Sequence, residues 1–257
     1  MKPLILKIKV ISRIDSPRRS YIKNHLDSKN ITFSFLDAAD TNNIKRDNET
    51  FYHKDIAFSL NFNSNNLDSF NKRGWIRIGE IGCMYSHYSL WKELIKDECD
   101  GYFILEDDAE VLFDNNILND FLKNEKFDDI DVIYCQKNSP NYVNGKSLFD
   151  QLSNDLGKVI TNNCNLYETL EGTTGYIVSK SGAKKLISSI ENIGLTWPAD
   201  NYIMHSFFDL SMDFRFCPKY LQVQLSEVSK ITEIHSEIKE EKITMIRHIK
   251  YKENVYL

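Results

Sequence analysis

Three acids stand in a row at Glu106-Asp107-Asp108, directly after the apolar stretch Gly101-Tyr102-Phe103-Ile104-Leu105. The stretch reads as a short strand, and carboxylates crowded at its end are costly to bury without a partner. A divalent cation relieves their mutual repulsion. Hard oxygen ligands suit magnesium or manganese, and both ions also bind phosphate oxygens. In open α/β sheets ligands sit beyond the carboxyl ends of strands, so the position suits a metal–diphosphate site. From spacing alone the same acids serve equally well as a solvated turn that caps a helix near Asn115.

Two other segments carry chemistry-bearing side chains. Gly79 to Lys96 has Ile81, Tyr85, Tyr88, Trp91, Leu94 and Ile95 at three- and four-residue spacing, which predicts a helix. That helix sets His87 one turn after Cys83 and one turn before Trp91. Either His87 is a polar residue of a packed helix, or Glu80 or His87 faces a nucleotide. Arg13, Arg18 and Arg19 follow the first apolar run, Leu4 to Ser12. An arginine in the first turn after a strand meets a diphosphate through paired hydrogen bonds, or lies on a solvated face.

These residues must be positioned by alternating strands and helices. Leu4 to Ser12 predicts a buried strand. Ser16-Pro17 predicts an N-cap followed by proline at the first helical position, with a helix through Tyr21, Ile22 and Leu26. Ile31 to Leu36 predicts a second strand, so the opening favours a layered α/β fold. Residues 41–73 are rich in Asn and weakly periodic; they read as a long mobile connection or lid with a short helix near Asp55 to Leu60. Further strands are expected at Ile130 to Cys135, Gly175 to Ser179 and Met212 to Phe216, with helices at Ser181 to Ile190 and Asp200 to Phe208. Asn138 to Leu170 is irregular. The expected layout is one domain over 1–232 and a charged tail over 233–257.

Composition excludes several classes. The chain has 257 residues with 42% hydrophobic and 27% charged, an ordinary globular balance with length enough for a real core. Its net charge of −5 speaks against general nucleic-acid binding, which needs a basic face. Five cysteines, Cys83, Cys99, Cys135, Cys164 and Cys217, are scattered without a C-x-x-C pair, so neither a disulfide framework nor a zinc ribbon is expected. No apolar run approaches the roughly 20 residues of a membrane span. The start lacks a signal-peptide pattern, so a cytoplasmic location is expected. In the tail, Ile243, Ile246 and Ile249 stand three apart among Lys242, Arg247, Lys250 and Lys252. That pattern suits a helix packed on the domain, or peripheral contact with the anionic inner face of a membrane.

Taken together, the segments resemble glycosyltransferase family 25, whose bacterial members build lipooligosaccharide and include many β-galactosyltransferases. The matching runs are Val10-Ile11-Ser12, Pro17-Arg18-Arg19 and Phe35-Leu36-Asp37-Ala38-Ala39-Asp40. The most specific is Gly79-Glu80-Ile81-Gly82-Cys83-Met84-Tyr85-Ser86-His87, then Leu90-Trp91-Lys92 and Ile104-Leu105-Glu106-Asp107-Asp108. Gly172-Thr173-Thr174-Gly175-Tyr176-Ile177-Val178-Ser179, Gly182-Ala183-Lys184-Lys185-Leu186, Pro198-Ala199-Asp200 and Ser229-Lys230-Ile231 match later elements. Two features depart from the family. Arg13 replaces the usual Leu after Ser12, and the Asn-rich 41–73 segment is peculiar to this chain.

The resemblance implies a GT-A-type, Rossmann-like nucleotide-sugar-binding fold with a mixed, mostly parallel sheet flanked by helices. It implies a UDP-sugar donor, UDP-galactose first, an oligosaccharide or glycolipid acceptor of lipopolysaccharide or another surface glycan, and inversion at the anomeric carbon. By the same resemblance Asp108, with Asp107 and Glu106, holds Mn2+ or Mg2+. Ser12, Arg13, Arg18, Arg19, Ala38, Glu80, His87, Glu106 and Asp107 are expected around the nucleotide. Asp200 is the expected base, with Glu171 next in line, although Asp200 after Trp197-Pro198 also suits a plain helix N-cap. The competing readings are a metal-dependent phosphohydrolase acting on a nucleotide or sugar phosphate, and a non-catalytic sugar-nucleotide-binding subunit.

Overall fold

The structure is a computed structural model. It describes residues 4–47, 50–59, 75–124, 130–136, 142–143, 146–147, 172–195, 198–200, 202–203, 212–228 and 242–244. In chain order the elements are β1 (Leu6–Ser12), α1 (Arg18–Ser28), β2 (Ser34–Asp37), β3 (Lys45–Asp47), β4 (Thr50–His53), β5 (Ile56–Ser59), β6 (Trp75–Arg77) and α2 (Ile78–Leu94). Then follow β7 (Gly101–Glu106), β8 (Ala109–Val111), α3 (Asn115–Asn124), β9 (Val132–Tyr134), β10 (Tyr142–Val143), β11 (Lys146–Ser147), β12 (Gly175–Ser179), α4 (Lys180–Ile193), β13 (Phe214–Phe216), β14 (Val223–Leu225) and β15 (Lys242–Thr244).

Six strands form the central sheet in the order β13-β9-β12-β7-β1-β2. β1 runs parallel to both β2 and β7, and β9 parallel to β13, while β12 is antiparallel to β7 and β9. This is the expected α/β arrangement with a mixed, mostly parallel sheet. The middle strands are apolar throughout because both faces are covered: Tyr102, Phe103, Ile104, Tyr176, Ile177 and Val178 are all fully buried. The register pairs Ile11 with Glu106 and Leu105 with Gly175. Reversal of β12 therefore brings its first residues to the edge where β1 and β7 end. Thr173, Thr174 and the acid run meet there, and the Glu106 amide donates to the Thr174 carbonyl at 3.1 Å.

Helix α1 starts as its sequence requires. The Ser16 hydroxyl accepts from the Arg18 amide at 3.3 Å, and Pro17 already has helical angles. The strand expected from Ile31 begins instead at Ser34. Asn30 is left-handed at φ 55°, its amide reaches the Asp27 carbonyl, and the Ile31 amide reaches that of Leu26. These two bonds make a Schellman motif, and Ile31 is buried as part of the helix end rather than the sheet. At α4, Ser179 caps the Gly182 amide at 3.1 Å. A Cβ at Gly182 would come within 2.3 Å of the Asp131 carbonyl oxygen, so only glycine lets α4 approach β9 this closely.

Three expectations are corrected. The short helix near Asp55 is a strand: β3, β4 and β5 form an antiparallel meander, turned by Lys54 at φ 55° and anchored by fully buried Phe51. The rest of the proposed 41–73 lid, from residue 60, lies outside the described residues. The tail is not a helix at Lys242–Thr244, which pairs antiparallel with Trp75–Arg77; its remainder also lies outside them. Finally, the acid run does not cap α3. Asp114 does, accepting from the Asn116 amide at 2.9 Å and the Ile117 amide at 3.0 Å. Of the helix expected from Asp200, residues 199, 200, 202 and 203 are described and are helical. The irregular 138–170 stretch is described only at β10 and β11, a two-stranded pair. Among the described residues no helix is long and apolar enough to cross a membrane.

Candidate active site

The three consecutive acids have three different environments. Asp107 is buried and bonded through both oxygens. Its Oδ2 accepts from the hydroxyls of Ser12 and Ser16, each at 2.8 Å, and its Oδ1 pairs with Arg18 Nε at 3.0 Å. Asp107 thus ties the end of β1 and the start of α1 to the end of β7.

Asp108 is partly buried and incompletely partnered. Its Oδ2 takes Arg18 Nη1 at 3.0 Å, and its Oδ1 is buried with no hydrogen-bond partner. Its backbone carbonyl accepts from the Ser226 amide at 2.9 Å, next to β14. Burial, then the charge of Glu106 and to a lesser degree Asp107, pushes the Asp108 carboxyl up to about 7 despite the opposing Arg18 guanidinium. An orphaned carboxylate oxygen in such a setting asks for a proton or a cation.

Glu106 is held from behind. Thr173 donates its hydroxyl to Oε1, and His87 Nε2 stands 3.4 Å from the same oxygen. Burial raises this carboxyl, but His87 and Thr173 outweigh it and the net direction is downward. His87 is fully buried, and its Nδ1 lies 2.8 Å from the Tyr176 hydroxyl, which also accepts from Trp91 Nε1 at 3.0 Å. The indole can only donate, so it fixes the orientation of this chain. Both ring nitrogens of His87 therefore face protein groups rather than a nucleotide.

The remaining expected residues are placed as follows. Arg18 lies on the acid run. Arg19 turns away to Asp37 at 2.7 Å and stacks on Phe35 at 4.2 Å from the ring centre. Arg13 is exposed and forks onto Asp15 at 3.0 and 2.8 Å. The Ala38 amide donates to the Ser12 carbonyl at 2.9 Å, holding the loop after β2 beside the site. Glu80 sits in the first turn of α2, partly exposed. Asp200 Oδ2 accepts from the Gly172 amide at 3.3 Å. That bond brings Asp200 beside the start of β12, where Thr173 touches Glu106. Glu171 lies outside the described residues.

Four contributors were not expected at the site from the sequence: Ser16, read only as a helix cap, Thr173 and Tyr176, read only as part of a matching run, and Gln136, whose Oε1 accepts from the Thr174 amide at 2.8 Å. The signal for Tyr176 was a hydroxyl-bearing aromatic inside an otherwise apolar strand, which needs a partner once buried. Nothing local marks Ser16 or Thr173 as a partner of the acid run.

The profile of "Glycosyltransferase family 25 (LPS biosynthesis protein)" matches residues 5–203. The chain is 33% identical to human procollagen galactosyltransferase 2 over 53% of its own length, and spans 20% of that protein. It is 25% identical to lipooligosaccharide biosynthesis protein lex-1 of Haemophilus influenzae over 93% of this chain and 86% of that one. A putative glycosyltransferase of the same organism is 27% identical over 75% of this chain and 60% of its own. Among solved structures the chain is similar to galactosyltransferase LgtC in complex with donor and acceptor sugar analogs, with TM-score 0.41 and 12% identity over 96% and 99% of the two chains. With the family profile spanning β1 to the helix that carries Asp200, and the acid run at its centre, this chain belongs to glycosyltransferase family 25.

Proposed function

We propose that the chain is an inverting, metal-dependent glycosyltransferase that moves a sugar, galactose first, from a UDP-sugar to a saccharide acceptor of a surface glycan. The observation that carries the metal part is the buried, unpartnered Oδ1 of Asp108 at the carboxyl edge of the sheet. The described residues fit a hard cation: Asp108 Oδ1 is a free carboxylate oxygen, and the side-chain bonds to Glu106 fall on Oε1, leaving Oε2. Asp108 would hold manganese or magnesium, with Glu106 supporting and Asp107 bracing the strand ends. When bound, the ion neutralises charge on the departing diphosphate as a Lewis acid.

The chain's own groups do the rest. Arg18 is the cation already at the acid run, and its guanidinium can exchange an aspartate for a phosphate oxygen through the same fork. Asp200, which accepts from the Gly172 amide beside the start of β12, takes the proton of the attacking acceptor hydroxyl. The galactosyl preference rests on the names of the relatives. The cytoplasmic location and the contact of the tail with a membrane remain parts of this proposal.

The test is a donor screen: a panel of sugar nucleotides with manganese and a saccharide acceptor, read as sugar transfer. Transfer from UDP-galactose in preference to the others is the expected outcome. Release of phosphate without transfer from any donor would replace this reading with a phosphohydrolase.

A further inference from the structure

Cys83 and His87 lie one turn apart on α2, and Glu106 ends β7 opposite them. The Cys83 sulfur, a His87 ring nitrogen and a Glu106 carboxylate oxygen all lie within 4.8 Å of one another. The His87 Nε2 to Glu106 Oε1 separation of 3.4 Å is long for a hydrogen bond, whose usual N···O distance is about 2.9–3.0 Å. A tetrahedral zinc ion, with bonds of about 2.0–2.1 Å to nitrogen and oxygen, holds those two atoms about 3.3–3.4 Å apart. With a bond of about 2.3 Å to sulfur, it places the thiolate about 3.6 Å from each. The imidazole and carboxylate already stand at that spacing, and the sulfur needs a shift of at most about 1.2 Å.

The imidazole is also braced as a ligand histidine is. Its far nitrogen meets the buried Tyr176 hydroxyl at 2.8 Å, and Trp91 pins that hydroxyl in turn at 3.0 Å. Cys83 is half-buried, and its thiol faces an acidic surrounding. Burial first, then Glu106, Asp200, Asp108 and Glu80, holds the thiol protonated in the absence of a cation. A positive ion is what those charges favour.

We infer that Cys83, His87 and Glu106 form a binding site for a thiophilic divalent cation, zinc foremost, distinct in ligand chemistry from the all-oxygen site at Asp108. On binding, the Cys83 S–H bond breaks, its proton goes to solvent and the sulfur–metal bond forms. His87 binds through Nε2, while its Nδ1 keeps the contact with the Tyr176 hydroxyl. The fourth position is left to water. Because Glu106 also supports the hard-ion site, zinc here opposes manganese-supported transfer. That consequence rests on the proposed function, whereas the site itself does not.

The experiment is a cobalt(II) titration of the full, metal-free chain, followed by absorption without any sugar nucleotide. Cobalt reports the ligands that zinc takes. A thiolate-to-cobalt charge-transfer band saturating at one equivalent, bleached by zinc and untouched by excess magnesium, is expected. Cys83→Ser loses the band and keeps its melting temperature and manganese-supported transfer. Tyr176→Phe keeps the shape but weakens cobalt binding about 10–100-fold, as loss of a bond behind a ligand does. Absence of the band in the native chain, or its survival in Cys83→Ser, overturns the site. Unchanged cobalt affinity in Tyr176→Phe removes His87 from it. A band without any sugar transfer by the native chain leaves the site standing and overturns the transferase reading instead.

Discussion

The Ser12 hydroxyl donates to Asp107 Oδ2 at 2.8 Å, joining the ends of two adjacent parallel strands across 95 residues of sequence. The bond makes the middle acid a structural tie. With Ser16 and Arg18 on the same carboxylate, Asp107 carries three protein contacts. The neighbouring Asp108 has the free oxygen. The two aspartates therefore have different jobs, and their variants should fail differently.

Asp107→Ala strands the buried Ser12 hydroxyl, the part-buried Ser16 hydroxyl and half of the Arg18 fork. It is expected to cost about 2–3 kcal/mol of stability and to lower transfer with it. Asp108→Ala is expected to abolish transfer with the fold intact. Thermal melting and turnover of both variants check this. Equal stability of the two would show that Asp107 is not the tie, and near-native turnover of Asp108→Ala would remove the metal assignment.

Asp108 also predicts a pH dependence. Unfolded, its carboxyl titrates near the ordinary aspartate value of 3.8, and folded near 7. Between those values the native state binds more protons than the unfolded state. The Asp108 contribution to stability therefore falls as pH rises through this window and is flat above it. Asp108→Asn removes the penalty. The metal-free variant is expected to be more stable than the native chain by about 1–3 kcal/mol above neutral pH, the gap closing towards the ordinary aspartate range. Melting curves across pH read the gap, and a constant difference at all pH would contradict the raised carboxyl. Manganese must displace the same proton, so its affinity should climb as pH passes neutrality.

Chelation with EDTA is expected to stop transfer, and manganese to restore it best among hard divalent ions. The diphosphate leaving group and the oxygen ligands are the grounds. Full turnover after exhaustive chelation would refute metal dependence.

Asp200→Asn keeps size and the acceptor for the Gly172 amide, which now lies 3.3 Å from the carboxylate. Turnover is expected to fall about 10²–10⁴-fold while donor affinity holds. A loss confined to donor affinity would assign Asp200 to the nucleotide. A change within a few-fold would move the base elsewhere, with Glu171 next.

Gly182→Ala tests the fold apart from the chemistry. The added methyl meets the Asp131 carbonyl at 2.3 Å, so α4 must retreat from β9. A loss of about 1–3 kcal/mol is expected, measured by denaturant unfolding. An unchanged midpoint would mean that the helix start shifts freely.

Local pattern alone determined much of this protein. The apolar run before Glu106, the Ser16-Pro17 helix start and the three- and four-residue spacing from Ile81 to Leu94 each name their element, because strand alternation and helix periodicity are properties of neighbouring residues. The acid run, Arg18 and Asp200 were likewise legible as chemistry-bearing types in ordered motifs. Partners were not. Ile31 could be read as strand only until Asn30 turned left-handed and used it to close α1. The meander at Lys45–Ser59 depends on cross-strand pairing that composition does not display. The surroundings of the adjacent acids were decided by Ser12, Ser16 and Arg18 for Asp107, and by Thr173 and His87 on one oxygen of Glu106. Those contacts arise because β12 runs against β7 and β1 runs beside it. Hydrogen bonds and burial are set by the distances between elements, and only the folded chain brings residues so far apart in sequence within reach.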